Sequence, residues 1–376
     1  MTLGVLLAAT GCKRSTEPGI AEGERPLLVG LVTDVGGRGD QSFNDSALRG
    51  LEAWAAGLAP QGGKYRALTP EERAALVPPA LAARVRALPV RPLVVQSKAQ
   101  EDYEPNLQLL VDHGADLTIG VGFMLENAIE AAAKENPREK FLLIDSPLLD
   151  AKGRPYTRPN VRTVVFREEE GSFLAGALAG LVARERACFV GGMEIPLIKK
   201  FEVGYRAGVR TTNPKATVMV QYTGSFDNVA HGKQVAQDLV AKGCEVLFQA
   251  AGADGLGAIQ AVREARQAGR SAFAIGVDSD QWHLALEAVL TSMEKRVDLA
   301  VWQAISDLKA GTFTTGDTAF GLKEDGVTLS PVRVPLEDRE AKLARVDALR
   351  ALVVSGALRV PASMAELDAF TPPATP

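Results

Sequence analysis

Two α/β lobes, each a parallel sheet with helices on both faces, are what this sequence predicts, and three observations predict them. From residue 26 onward, strand-length apolar runs alternate with helix-length segments. Polar residues collect where the apolar runs end, which is where open parallel sheets bind ligands. With 376 residues, the chain can fill two domains, each with its own core.

The elements follow in order. PLLVGLVTDV (26–35) is a short apolar run ending in Asp-Val-Gly-Gly, and residues 42–58 carry Phe43, Ala47, Leu51, Trp54 and Leu58 at helical spacing. VRPLVVQS (90–97) is β-rich, and NLQLLVDHGA (106–115) is helical with a glycine stop. LTIGVG, FMLENAIEAAAKEN and KFLLIDS then give strand, helix, strand across 117–146. VRTVVF (161–166) and the helical EEGSFLAGALAGLVARE (169–185) continue the rhythm. ACFVGGM, ATVMVQYT, EVLFQAAG and AFAIGVDS read as further strands, with helices over 197–212, 229–242 and 255–269. Residues 60–89 break the pattern: they are rich in Ala, Arg and Pro, lack strand-like alternation and read as a surface insertion cut up by Pro70, Pro78, Pro79 and Pro89. The Pro-rich stretch 361–376 reads as a frayed tail.

Composition excludes several classes. Hydrophobic residues make up 46% and charged residues 23%, the profile of a globular chain. The formal net charge of -4, with no Lys/Arg cluster interleaved with aromatics, argues against a nucleic-acid partner. His113, His231 and His283 are far apart and form no metal-ligand spacing; no metal or cofactor is expected. There is no GxSxG elbow, and GADGLG (252–257) matches neither dinucleotide nor phosphate-loop spacing. Asp34 and Asp278 could be imagined as an acid/base pair, yet no nucleophile accompanies them, so catalysis is not expected.

Three cysteines are too few to predict a disulfide framework, and Cys188 and Cys244, each opening an apolar run, read as small buried side chains. Cys12 differs. MTLGVLLAATGC places an apolar stretch and then small residues directly before it, the shape of a short export signal with its processing site. It is similar to a bacterial lipobox, which implies lipid attachment at Cys12, with residues 1–12 as signal segment and 13–25 as a polar tether. No later apolar run approaches the ~20 residues that span a bilayer.

Asp34 closes the first strand, Asn127 sits in the first turn after LTIGVG, and Gly224 to Phe226 follow VMVQYT. Ala251 and Gly252 follow EVLFQ, and Asp278 follows AFAIGV. Such a succession of strand ends is better explained by a cleft than by ordinary loop chemistry.

Several stretches resemble the basic membrane protein family, bacterial lipoproteins of the type I periplasmic-binding fold that include purine nucleoside receptors of ABC importers. They are TDVGGRGDQSFNDSALRGLE, SKAQEDYEPNLQLLVDHGADLTIGVGF, GGMEIPLIKKFEVGYRAGV, YTGSFDN, GVDSDQ and LTSMEKRVDLAVWQA, spread from about residue 28 to 360. The resemblance implies two doubly wound lobes joined by a three-crossover hinge: 26–166 with 280–293, and 167–279 with 294–360. It implies a monomeric, lipid-anchored, extracytoplasmic protein that passes a small-molecule ligand to an ABC permease with a cytoplasmic ATPase. By position, Phe43 and Phe226 would stack on both faces of a base, and Asp34 and Asn44 would bond its polar edge. Asp278 and Lys295 would meet the sugar hydroxyls. Asn127 stands where purine-binding members tend to carry Asp, and Gly252 belongs to the loop that follows EVLFQ.

Without that resemblance Phe43 would read as core and Lys295 as a solvated helix charge. Phe201 and Tyr205 read as lobe packing, Arg296 as solvated, and Asp254 as a solvent-facing loop residue. Trp282 could stand on the cleft wall. A ligand-sensing receptor or a surface adhesin-like lipoprotein on the same fold remain alternative functions, and a nucleoside hydrolase is a more distant one.

Overall fold

The computed structural model describes residues 25–373; Cys12, the expected signal segment and all but the last residue of the expected tether lie outside them. Two six-stranded sheets carry the fold. The first runs in the order Gly316–Phe320, Val161–Phe166, Phe141–Ile144, Leu117–Val121, Leu27–Thr33, Val90–Gln96, all parallel. The second runs Thr217–Tyr222, Arg186–Gly191, Val246–Ala250, Phe273–Asp278, Val289–Lys295, Val327–Leu329, with only the last strand antiparallel. Leu31 and Val32, on opposite faces of the Leu27–Thr33 strand, are both fully buried, as expected where helices cover both faces.

The chain passes between the lobes three times: after Phe166, after Lys295 and after Phe320. The number is as expected but the boundaries are not. Residues 280–293 do not return to the first lobe, because Val289–Lys295 pairs with Phe273–Asp278 as one more parallel strand of the second sheet. The first lobe instead regains the helix Val297–Ala310, packed on residues 49–55, and the strand Gly316–Phe320.

The insertion is ordered and tied down. Leu58–Gln61 and Lys64–Ala67 form a hairpin across Gly62 and Gly63, both at positive φ (56° and 75°). The Gly-Gly pair was the signal for that turn. A helix at Pro70–Leu76 follows, started by a capping box between Thr69 and Glu72. Val77, Leu81 and Val85 are buried, Trp54 Nε1 donates to Leu76 O (3.0 Å), and Trp302 Nε1 donates to Arg86 O (2.8 Å). The tail likewise docks: the helix Met364–Ala369 is capped by Ser363, and buried Phe370 meets Phe173 edge-on. Cys188 and Cys244 are buried as expected, but they are bonded to one another, their Cα atoms 6.0 Å apart. Sequence spacing could not show that adjacent elements bring them together.

The helix from Phe43 continues as a π-helical stretch at Arg49–Ala55, where Gly50 lies against the backbone of Asp298. A Cβ on Gly50 would stand 2.5 Å from Asp298 O, so the two helices can approach only through a glycine. Gly50→Ala is expected to cost about 1–3 kcal/mol, read as a lower denaturant midpoint with an unchanged m-value.

Candidate functional site

Strand ends build the site. Asp34 follows the first strand, Asp145 follows Phe141–Ile144, Asp278 closes Phe273–Asp278, and Lys295 closes Val289–Lys295. Together with Phe43, Asn44, Gly122 and Phe123 of one lobe and Phe201, Phe226 and Gly252 of the other, they line one cavity between the lobes. Its atom-free space is about 600 Å³ counting the open mouth.

Asp34, Phe43, Asn44, Phe226, Gly252, Asp278 and Lys295 are thus brought together as expected. Asn127 is not: it is exposed and does not line the cavity. Gly122, at φ 108°, turns the chain into a short 3₁₀ segment, Phe123–Leu125, before the helix Glu126–Glu135 begins. That extra turn presents Phe123 to the cavity and Asn127 to solvent. The ring that meets Phe226 directly is Phe123, edge-on with centroids 6.4 Å apart.

Other expectations are corrected too. Phe201 lines the cavity as well as packing, whereas Tyr205 is buried and bonded to Val246 O. Asp254 is fully buried and accepts from Ser225 Oγ (2.9 Å) and Asn228 N, which fixes the loop carrying Phe226. Arg296 is buried against Asp298 (3.0 Å) and the Trp54 ring. Trp282 lies off the cavity, its Nε1 donating to Leu286 O and Arg333 above its ring. Asp40 and Asp145 were missed, although Asp145 in LLIDS stands at the same kind of strand end as Asp34.

Asp40 is a capping residue. Its carboxylate accepts from the backbone N–H groups of Ser42, Asn44 and Asp45 and from Asn44 Nδ2. Asn44 Nδ2 also donates to Asp34 Oδ1 (2.7 Å), which accepts Gly36 N as well. Behind this loop, Arg38 forms a two-pronged pair with buried Glu52 (2.7 and 3.0 Å), and Tyr65 of the insertion hairpin donates to Glu52 Oε1. The insertion therefore braces the loop that carries Gly36 and Asp40.

The lobes are joined directly beside the cavity. Ser42 Oγ donates to Asp278 Oδ2 (2.5 Å), Ser279 Oγ to Ser42 O (3.2 Å), and Gln281 Nε2 to Gln41 O (3.0 Å). Lys295 is 2% exposed. Its ammonium pairs with Asp145 and with Glu168 (3.1 Å), and the rings of Phe43, Phe166 and Phe201 lie 5.1–5.5 Å away. Burial works against the ammonium, but Asp145, Glu168 and Asp278 outweigh it and hold Lys295 above the ordinary lysine value.

Burial pushes the Asp34 carboxyl up to about 6 against its bonds from Asn44 and Gly36, and pushes Asp278 up to about 6 against Lys295 and Ser42. Burial likewise raises Asp145 against the pull of Lys295. Asp145 and Asp278 also hold positive φ angles (76° and 64°), an uncommon backbone that concentrates at functional sites. Among the described residues no group of three or more His, Cys, Asp or Glu is placed to hold a metal ion.

A cleft between two parallel-sheet lobes, crossed three times by the chain and lined from both sides, defines a two-lobed solute-binding protein. Residues 28–362 match the Bmp family, described as ABC transporter substrate-binding protein PnrA-like. A CD4+ T-cell-stimulating antigen of Listeria innocua is 32% identical over 376 residues, 95% of each chain. An ABC transporter nucleoside-binding protein, BmpA, of Lactococcus lactis is 29% identical over 96% of this chain and 97% of its own. A solute-binding protein of an ABC transporter system from Aeropyrum pernix superposes with TM-score 0.73 at 28% identity, covering 92% of this chain and 96% of its own. The chain belongs to the Bmp family of ABC transporter substrate-binding proteins. It is therefore an extracytoplasmic binding protein rather than an enzyme, and a permease with its ATPase is its partner. No helix among the described residues is long and apolar enough to cross a membrane.

The raised Asp34 carboxyl makes a stability statement. Its folded value lies above the unfolded one, so the folded state holds the proton more tightly and stability falls as pH rises from 3.8 to about 6. Asp34→Asn keeps an acceptor for Asn44 and Gly36 while removing the buried charge. It is expected to stabilise the ligand-free protein at neutral pH by about 1–2 kcal/mol, seen as a melting temperature a few degrees higher, with the gain vanishing at pH 4.

Proposed function

We propose that the cleft captures a nucleoside, with purine favoured, and delivers it to the ABC permease. The observation that carries this reading is the meeting of aromatic rings and carboxylates from both lobes in one cavity. Phe43 and Phe226 would flank a base, and Phe123 would extend the apolar wall behind Phe226. Asp34 and Asn44 would bond the edge of the base, beside Gly252. Asp278 and Lys295 would take the sugar hydroxyls: a carboxylate accepts from two hydroxyls, and an ammonium donates to a third oxygen. The Lactococcus relative described as nucleoside-binding supports the same chemistry here.

Asp34, Asp40, Asp145 and Asp278 line the cavity, with Lys295 as the lining cation. This excess of negative charge favours an uncharged solute and disfavours phosphorylated ones. Closure follows from the walls belonging to different lobes: only a closed cleft touches the ligand on every side, so ligand shifts the population toward the closed form. Lipid attachment at Cys12 would hold the protein at a membrane as a monomer. Relatives described as lipoproteins, such as one from Pyrococcus horikoshii at 33% identity, support that anchor.

Calorimetry of the purified full chain tests the reading, with purine nucleosides expected to bind and their 5′-monophosphates to bind far more weakly. Phe226→Ala removes one stacking face and is expected to weaken nucleoside binding by about 5–150-fold, the equivalent of ~1–3 kcal/mol. Unchanged affinity in that variant would contradict the stacking arrangement.

A further inference from the structure

A second cavity lies within the insertion and shares no lining residue with the cleft. It holds about 420 Å³ between the hairpin, the Pro70–Leu76 helix and the stretch that returns to the first sheet, with Leu68, Val77, Val85 and Ala87 in its wall. Thr69 and Arg73 are the polar side chains that line it. Thr69 Oγ1 serves as the helix cap, accepting from Glu72 N (3.2 Å). Arg73 is therefore what gives the cavity its chemistry.

Arg73 is a cation without an anion. Its Nη2 donates to Trp54 O (2.9 Å) and Val85 O (3.3 Å), which ties the helix to the segments on either side of it. That packing duty occupies one nitrogen of three. Nε is buried with no hydrogen-bond partner, and Nη1 makes no hydrogen bond among the described residues. Glu72 is committed to Arg66, with 2.7 Å to each of its oxygens. Glu71 lies two residues from Arg73 on the same helix, a spacing at which side chains do not face one another. Burial lowers the guanidinium below the ordinary arginine value, with no carboxylate acting against it.

A buried donor left unmade and a desolvated charge left unpaired both cost free energy, which a ligand of opposite charge would recover. The walls narrow the class of that ligand. A phosphate or sulfate needs donors on several sides, and this cavity sets one guanidinium in an otherwise apolar lining. A carboxylate carrying a hydrocarbon chain matches both parts: its planar head suits the planar guanidinium, and its chain replaces water against the apolar wall.

We propose that the insertion cavity binds a small monocarboxylate with a short hydrocarbon chain, its head at Arg73 and its chain against Leu68, Val77, Val85 and Ala87. The site does not depend on what the cleft holds. Asp34, Asp40, Asp145 and Asp278 in the cleft would repel such an anion.

Saturation-transfer NMR titrations of the full chain with hexanoate, butyrate, hexanol and hexylammonium test the site. Hexanoate is expected to bind at least about tenfold more tightly than hexanol or hexylammonium, the worth of a charge-assisted bond. Butyrate should bind about tenfold more weakly than hexanoate, since each buried methylene counts for about fourfold. Arg73→Gln should weaken hexanoate by at least about tenfold and leave hexanol unchanged, while Arg73→Lys keeps most of the affinity. Ala82→Phe fills the cavity from an exposed position in its lining and leaves Arg73 in place, so it should abolish binding of hexanoate and hexanol alike. A wild-type protein that takes no hexanoate, or takes hexanol just as tightly, overturns the inference. So does hexanoate affinity that survives Arg73→Gln or Ala82→Phe unchanged. Should melting curves show Arg73→Gln unfolded, the ligand comparison on the wild-type protein and Ala82→Phe still decide. The nucleoside reading of the cleft stands or falls separately in every case.

Discussion

A lysine ammonium buried where the chain crosses between lobes is the constraint on which the rest of this site depends. Lys295 ends the last parallel strand of the second sheet, Glu168 opens the helix after the first crossing, and Asp145 ends a strand of the first sheet. A buried charge is tolerated only when it is paired and hydrogen-bonded, so these three segments must arrive together. Glu168 is shared with Lys200 (3.2 Å); burial works to raise its carboxyl, but the two ammonium groups outweigh that and hold it below the ordinary value. The rings of Phe166 and Phe201 fill the space around the ammonium, and Phe43 carries that aromatic shell into the cleft. Hinge and ligand wall are in this sense one structure.

With Lys295 committed to Asp145 and Glu168, the other carboxylates of the cleft have little to balance them. Burial raises Asp34 and Asp278, Asn44 keeps an unanswered acceptor, and Asp145 and Asp278 sit in uncommon backbone conformations. Each is unfavourable alone, and the raised carboxyls and the unanswered acceptor would be relieved by a solute that donates hydrogen bonds. Conformational strain and unpaired polar groups held by a rigid frame are a usual cost of preorganised binding. The brace from Tyr65 through Glu52 to Arg38 and the capping role of Asp40 supply that frame on one side. The Asp254 bonds under the Phe226 loop supply it on the other.

The two-lobed architecture was legible because parallel strands buried on both faces read as unbroken apolar runs, and because their carboxyl ends gather polar residues. Asp34, Phe43, Asn44, Phe226, Gly252, Asp278 and Lys295 were found in this way or through the motifs that carry the family resemblance. What stayed hidden depended on distant partners or on local winding. Asn127 was displaced by one short 3₁₀ turn that periodicity does not resolve. Arg296 and Asp254 read as solvated because burial of a charge depends on a partner far away in sequence, or on backbone N–H groups that sequence does not display. The hinge boundary moved because VLTSMEK has the composition of a strand but nothing in it says which sheet it joins. Gly62-Gly63 was a readable hairpin signal that the surrounding Ala/Arg/Pro composition obscured.

The central claim is that this cleft holds a nucleoside, its base between rings from the two lobes and its polar edge toward Asp34 and Asn44. A crystal structure of the protein soaked with guanosine tests it most directly. The account predicts density for the base flanked by Phe43 and Phe226, its polar edge toward Asp34 and Asn44, and its sugar hydroxyls at Asp278 and Lys295. Guanosine bound elsewhere, or with its sugar toward Asp34 and Asn44, would contradict it.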